Sequence, residues 1–160
     1  MLLLQRRGIT RAYVELGLNR RTLGLRPDGD AWTLALRNPR DGRRLLAWLP
    51  VQDLAVAGSE ASPESLRDAP PDAVAGVTVV ARDGLVATAW AQALRQGAVA
   101  DALARAAQQP ELSVLLVDAA GRLHGSGGVG AESADEHERP DPPSGAARRA
   151  GGDRLLVRPS

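Results

Sequence analysis

In the run AWTLALRNP (31–39), Trp32, Leu34 and Leu36 alternate with Thr33, Ala35 and Arg37. A period of two puts three large apolar side chains on one side of an extended chain and leaves the other side mixed, the pattern of a half-buried β-strand. A helix would scatter the same residues around its axis, so the alternation constrains the fold strongly. The turn PDGD (27–30) precedes this strand. TRAYVELG (10–17) and RTLGLR (21–26) read as strands before it, and RRLLAWLP and VQDLAVAG as two strands after it, joined through Pro50. The first sixty residues therefore predict an antiparallel meander.

Filling the core of such a sheet is a problem of supply. The 160 residues contain no Phe, one Tyr and one Ile, so Leu, Val, Ala and three Trp must do it. That length suits one domain with a core of its own. Residues 2–7 look like the last turns of a helix stopped by Gly8, so the chain is expected to open where a longer helix ends. Residues 59–75 hold three prolines and read as loop. GVTVVA (76–81) reads as a buried strand, and helices are expected over 84–96 and 98–108, separated by Gly97. In the first, Val86, Ala89, Trp90 and Ala93 follow the i, i+3, i+4, i+7 spacing of a buried face. LSVLLVD (112–118) and RLHGS (122–126) form a closing hairpin. From Gly127 to Asp153 large apolar residues almost vanish, so this stretch cannot offset its ordering entropy. The expected fold is α+β: an antiparallel sheet with two helices packed on it over residues 1–126, then a disordered tail over 127–160.

Charge and residue usage exclude several functions. Every basic residue is Arg, and nineteen acids oppose the twenty arginines for a net charge of +1. No nucleic-acid footprint results. Without cysteine there is no disulfide, thiolate metal site or Cys nucleophile. The three apolar residues of MLLLQRRG are too few for a signal peptide, and a span needs about 20. The chain is thus expected in the cytoplasm, with no membrane partner.

Isolated candidates read mostly as structure. His124 and His137 lack partners at metal-ligand spacing, and Ser59 has no base nearby in sequence. GSGGVG (125–130) lacks the helix and Gly-Lys-Ser/Thr ending of a phosphate loop and reads as an exit from the domain. Trp32, Trp48 and Trp90 fall on apolar patterns and read as core, with stacking on a ligand ring as the alternative. RNPRDGRR (37–44) reads as a solvated hairpin tip, with phosphate contact as the alternative. Asp101 reads as an exposed acid favourable at a helix N-terminus. Its alternative, a metal ligand, suffers from Arg105 four residues on.

Taken in order, the pieces VELG, the following LG, DG and Trp, NPRD, AVAGS, VTVVA, an Ala-rich helix and LLVDAAGR resemble the C-terminal half of the FAD:protein FMN transferases, the flavin transferases. The resemblance covers about residues 1–126. It implies half of a flavin-transferase-like domain and an ancestral reaction that moves FMN from FAD to a Thr or Ser of an acceptor flavoprotein, with FAD and Mg²⁺ as cofactors. It also implies which residues to watch. Where the family has an NxGGD run this chain reads ELGLN, keeping Gly17, placing Leu18 at a glycine position and Asn19 at the acid. The family's AVATSG appears as AVAGSE, keeping Ser59. Its His and Asp-Pro-Arg-Thr-Gly segment appears as the shorter SLRDAPPD, with Asp68 at the Asp and Ser65 near the His. Gly17, Asn19, Ser59 and Asp68 are therefore the cofactor-binding candidates.

The family's metal helix resembles ADALATAL, with Asp and Thr four residues apart on one face. In ATAWAQAL those positions hold Thr88 and Gln92, both neutral, whereas Mg²⁺ favours oxygen ligands that include carboxylates. No confident catalytic residue emerges. The reading that follows is a truncated or degenerate transferase, inactive alone. The alternatives are an active half of a split transferase, completed by a protein partner, and a non-catalytic binding or scaffold protein that pairs with a partner chain.

Overall fold

The computed structural model describes residues 1–126 and 132–133. The chain begins with a short helix α1 (Leu2–Arg6) and continues through β1 (Ala12–Leu16), β2 (Asn19–Leu23), β3 (Trp32–Asn38), β4 (Asp41–Val51), β5 (Ala55–Glu60) and β6 (Val74–Ala81). Helices α2 (Gly84–Leu94) and α3 (Val99–Ala106) follow, then β7 (Ser113–Asp118), β8 (Leu123–Ser126) and a two-residue β9 (Glu132–Ser133). The architecture is α+β, and all strand pairs are antiparallel.

The expected single meander is two sheets. Six strands run in the order β1-β2-β5-β6-β7-β8, while β3 and β4 form a separate sheet with β9. The chain leaves the large sheet after β2, builds the β3–β4 hairpin on one face, and returns as β5 beside β2. Alternation along the shared strands divides the core accordingly. Ala55, Ala57, Val77, Val79, Val114 and Leu116 pack with the helices. Val56, Val80 and Leu115 pack with Trp32, Leu34, Leu36, Ala47, Leu49 and Val51 of the hairpin. Trp32, Leu34 and Leu36 are all buried, as their spacing requires. The indole N–H of Trp32 donates to Gly24 O at 3.0 Å, so its polar edge is satisfied too. Trp48 and Trp90 are half-buried.

Pro50 does not separate two strands. It lies inside the continuous β4, opposite Thr33. Proline is tolerated on edge strands, and beyond Trp48 only β3 pairs with β4 among the described residues. The reversal falls at Asp53 instead, in the left-handed region at φ 55. Asp adopts that conformation more readily than most residues, and here its Oδ1 accepts from Gly24 N at 2.7 Å.

Helix α2 starts at Asp83, whose Oδ1 accepts from the N–H groups of Leu85 and Val86 at 2.8 and 3.0 Å. This cap satisfies two donors that no helical carbonyl can reach. The buried stripe of α2 is Ala87, Ala91 and Leu94, with Trp90 half-buried beside it. The expected face of Val86, Ala89, Trp90 and Ala93 is therefore rotated: Val86, Ala89 and Ala93 are exposed. Small side chains at 87 and 91 let the helix backbone lie close to the Ala55 and Ala57 strand, so methyl groups define the contact and large residues do not.

Gly97, at φ 92, turns the chain into α3, which buries Val99, Ala102 and Ala106. Asp101 is exposed in its first turn. Arg105 reaches back to donate to Ala93 O and Gln96 O at 3.3 and 3.0 Å. The C-terminal end of α2, at Ala93 O, and the turn after it, at Gln96 O, thus gain a cationic cap. Residues 127–160 were expected to be a tail; Glu132 and Ser133 pair with Trp48 and Ala47 of β4. His137 and the rest of that segment lie outside the described residues, and GSGGVG crosses into them.

Candidate functional site

Two polar side chains of α2, Thr88 and Gln92, point at the sheet. Four residues apart, they share one face of the helix. Thr88 meets β2: its Oγ1 donates to Gly84 O one turn earlier at 2.8 Å and lies 3.1 Å from Oδ1 of Asn19. Gln92 meets β5: its Oε1 accepts from the Ser59 hydroxyl at 3.2 Å. Ser59 is in step with Ala55 and Ala57, so it takes the helix-facing side of β5, where it is buried. Two neutral contacts therefore join α2 to the sheet at the positions that the resemblance marks for cofactor and metal.

Gly17 and Leu18 form the two-residue turn between Leu16 and Asn19. Gly17 has φ 57, the positive value that a hairpin turn with glycine first requires. Leu18 bends over β5: Gly58 N donates to Leu18 O at 2.9 Å, and a Cβ built on Gly58 would sit 3.1 Å from the Cβ of Leu18. An open cleft of about 570 Å³ lies on one side of Leu18, walled also by Gly58, Ser59, Glu60, Ser62, Ser65, Gln92 and Arg95. A second cavity of about 380 Å³ runs beneath the β3–β4 hairpin, and Leu18, Gly58 and Glu60 line it as well. Leu18 thus stands as a partition between two spaces.

The cavity beneath the hairpin has a polar end. Glu15 accepts from the Tyr13 hydroxyl at 3.1 Å and from Arg20 Nε at 3.0 Å. Burial, aided by the Glu15 charge, pushes the Tyr13 hydroxyl well above its ordinary value, so it remains a donor. The Tyr13 ring packs against Trp32 at a centroid distance of 5.6 Å. This Trp is part of the hairpin core.

Asp68 stands apart from this assembly. It is exposed in the loop after β5 and forms no wall of the cleft. The loop is held by Leu66, which is buried against Ala75 and Ala119 and whose carbonyl accepts from Arg40. Ser65, near the family's His position, does reach the cleft, and its N–H and hydroxyl bond Ser62. The resemblance marks Leu18 as standing at a glycine position of the family. Arg95, the C-cap residue of α2, and Ser62 also line the cleft and carry no mark in the sequence.

The donors present do not fit a Mg²⁺ ion. Thr88, Gln92, Asn19 and Ser59 offer only neutral oxygens, and each is already within hydrogen-bond distance of another. Mg²⁺ dehydrates reluctantly and is bound through one or two carboxylates. Among the described residues no cluster of three or more His, Asp or Glu could hold a metal. Glu60 follows Ser59 in β5 and is directed to the opposite side of the sheet.

A separate polar cluster closes the β7–β8 hairpin. Asp118 is buried and accepts from Arg122 N and Nε, each at 2.8 Å, with His124 Nε2 at 2.9 Å. Burial alone would raise its pKa, but these hydrogen bonds and the guanidinium outweigh it and hold the carboxyl at about 2. Asp118 thereby ties together both strands of the hairpin through Arg122 and His124.

Among the described residues, no helix is long and apolar enough to cross a membrane. A search of curated proteins returned no match. Solved structures do match. The flavin transferase ApbE from Vibrio cholerae superposes with a TM-score of 0.62 at 25% identity, over 82% of this chain and 45% of that one. The apo flavinyl transferase ApbE of Pseudomonas stutzeri gives 0.58 at 21% identity, over 78% and 45%, and shares the fold. So does the ApbE protein of Thermotoga maritima, with 0.55 at 18%, over 72% and 42%. The chain spans less than half the length of each of these relatives. A model of the ApbE family matches residues 1–116, and the chain belongs to that family.

Proposed function

We propose that this chain is an ApbE-family member that does not transfer FMN by itself. The observation that carries this reading is the pair of neutral contacts, Thr88 to Asn19 and Gln92 to Ser59, at the family's metal-helix and cofactor positions. Hydroxyls and amides can coordinate a cation, but they add no charge to offset its dehydration. Phosphoryl transfer depends almost wholly on positioning and on neutralising charge, so a site without the metal loses the main source of rate. Leu18 adds a steric reason, because it occupies space where a glycine would let backbone approach a ligand.

The test is an FMN-transfer assay. The purified chain is mixed with FAD, Mg²⁺ and a Thr-containing acceptor domain of the family's flavoprotein type, and covalent flavin is read by fluorescence and mass. No transfer is expected. Covalent FMN on the acceptor above a no-protein control sinks the reading.

A second reading has an observation of its own. Leu16 is 61% exposed at the end of the edge strand β1, and Leu85 is 80% exposed at the start of α2. Apolar groups this open, one of them on a strand that is the sheet edge among the described residues, suit a protein partner that supplies the remainder of a transferase fold, either restoring activity or using this chain as a scaffold. It predicts a soluble complex with a separately expressed N-terminal half from the same organism's transferase. Two species that stay apart in sedimentation would count against it.

A further inference from the structure

We propose that the open edge of β3 takes a further strand, and that this strand is the chain's own segment RLLVR (154–158). The inference goes beyond the functional reading and does not depend on it.

Among the described residues β3 is paired on one side only, since the small sheet runs β3-β4-β9. Pro50 has no N–H and lies opposite Thr33, so these two residues form a non-hydrogen-bonded pair. Alternation along the ladder makes Ala35 and Trp48 another. Thr33 and Ala35 therefore direct their N–H and C=O groups away from β4. No other backbone hydrogen bond among the described residues takes them up. Both residues are half-buried and line the cavity of about 380 Å³ beneath the hairpin. Backbone groups partly withdrawn from water and left unpaired are costly, and an open strand edge is a template for pairing.

Across the cavity from that edge the large sheet is apolar. Val117 and Leu123 are paired on β7 and β8 and both line the space, and Leu123 remains 37% exposed. A strand added to β3 would lay alternate side chains on this surface. Pro39 closes one end, packing where Gly76 has no Cβ; a Cβ there would sit 2.6 Å from Pro39 Cγ. Glu60 also lines the space and pairs with no cation among the described residues.

Residues 134–160 lie outside the described ones, and their sequence contains one segment that suits the groove. From Gly130 to Asp153 there is no Val, Leu, Ile, Met, Phe, Tyr or Trp; then Leu155, Leu156 and Val157 come together between Arg154 and Arg158. A period of two puts Leu155 and Val157 on the apolar surface and Arg154, Leu156 and Arg158 on the outer side. The flanking arginines bring the cation that Glu60 lacks. Pro159, with no N–H, then ends the ladder. Reach does not limit the docking. Ser133 is held on the far edge of β4, three strand spacings or about 14 Å from the added strand. The twenty residues 134–153 span about 25 Å as a flexible coil.

The experiment is amide hydrogen exchange, read by NMR on the full chain at low concentration. Thr33 and Ala35 should be protected. Leu155→Asp combined with Val157→Asp should speed their exchange about tenfold or more, the loss of one backbone hydrogen bond at each. The amides of Leu34 and Leu49, which bond each other's strands within the hairpin, should not change, and their constancy establishes that the variant folds. Leu156→Asp, on the outer side, should leave Thr33 and Ala35 protected. Free exchange at these two amides in the unaltered chain would overturn the proposal and leave the edge to another protein. So would protection that the double variant retains or that Leu156→Asp removes equally. Protection that vanishes on dilution would also overturn it, by assigning the strand to a second copy.

Discussion

The two faces of the six-stranded sheet are built from different materials. Under the β3–β4 hairpin the core consists of large side chains, Trp32, Leu34, Leu36 and Leu49 among them. Under the helices it is largely Ala and Val, and Thr88, Gln92, Asn19 and Ser59 supply polar contacts at its margin. The hairpin face secures the fold through buried area. The helix face brings backbone close to backbone and leaves a cleft open beside the contact. Stability and the candidate site are thus placed on opposite sides of one sheet, so substitutions should separate them.

The largest effect should come from the hairpin face. Leu49 is fully buried, and Leu49→Ala should cost about 2–5 kcal/mol through lost burial and the cavity left behind. Chemical denaturation would measure it, and a loss well below this range would mean that the hairpin is not a principal core. On the helix face the damaging change runs the other way. Ala91 is fully buried, and Ala91→Leu should cost about 1–3 kcal/mol by forcing α2 off the sheet. An unchanged midpoint would indicate slack that close packing does not allow.

Asp118 belongs to neither face and serves as a control for charge. Its folded pKa, about 2, lies below the ordinary 3.8, so its contribution is fully present above about pH 4 and is lost as pH falls through 2. Acid denaturation followed by tryptophan fluorescence should show Asp118→Asn flattening the pH dependence in that window. An identical slope in both proteins would contradict the hydrogen-bond account. Smallest of all should be Ser59→Ala. It removes one neutral bond to a Gln92 that solvent can reach, for about 0.5–1.5 kcal/mol. A larger cost would show that the contact is part of the core.

How much of this the sequence disclosed follows the same division. Alternation made β3 and its buried face legible, because large apolar residues at period two have few other uses. Periodicity failed on α2, where Ala occurs on every side and carries little directional signal. The buried stripe at Ala87, Ala91 and Leu94 is decided by which positions must be small. Pro50 misled because a strand edge tolerates a proline that a central strand would not, and Asp53 made the turn without glycine. Family resemblance singled out Thr88, Gln92, Asn19 and Ser59, but not their mutual contacts, which depend on how β2 and β5 come together across the β3–β4 excursion.

The central claim is that neutral contacts occupy positions where the family's helix would hold a cation. Mn²⁺ is a paramagnetic substitute for Mg²⁺, and its six-line resonance is lost from solution when it binds protein. The decisive measurement is that spectrum with and without equimolar chain. The account predicts undiminished free Mn²⁺. Loss of signal that Thr88→Ala or Gln92→Ala restores would contradict it, because the two side chains would then be ligands after all.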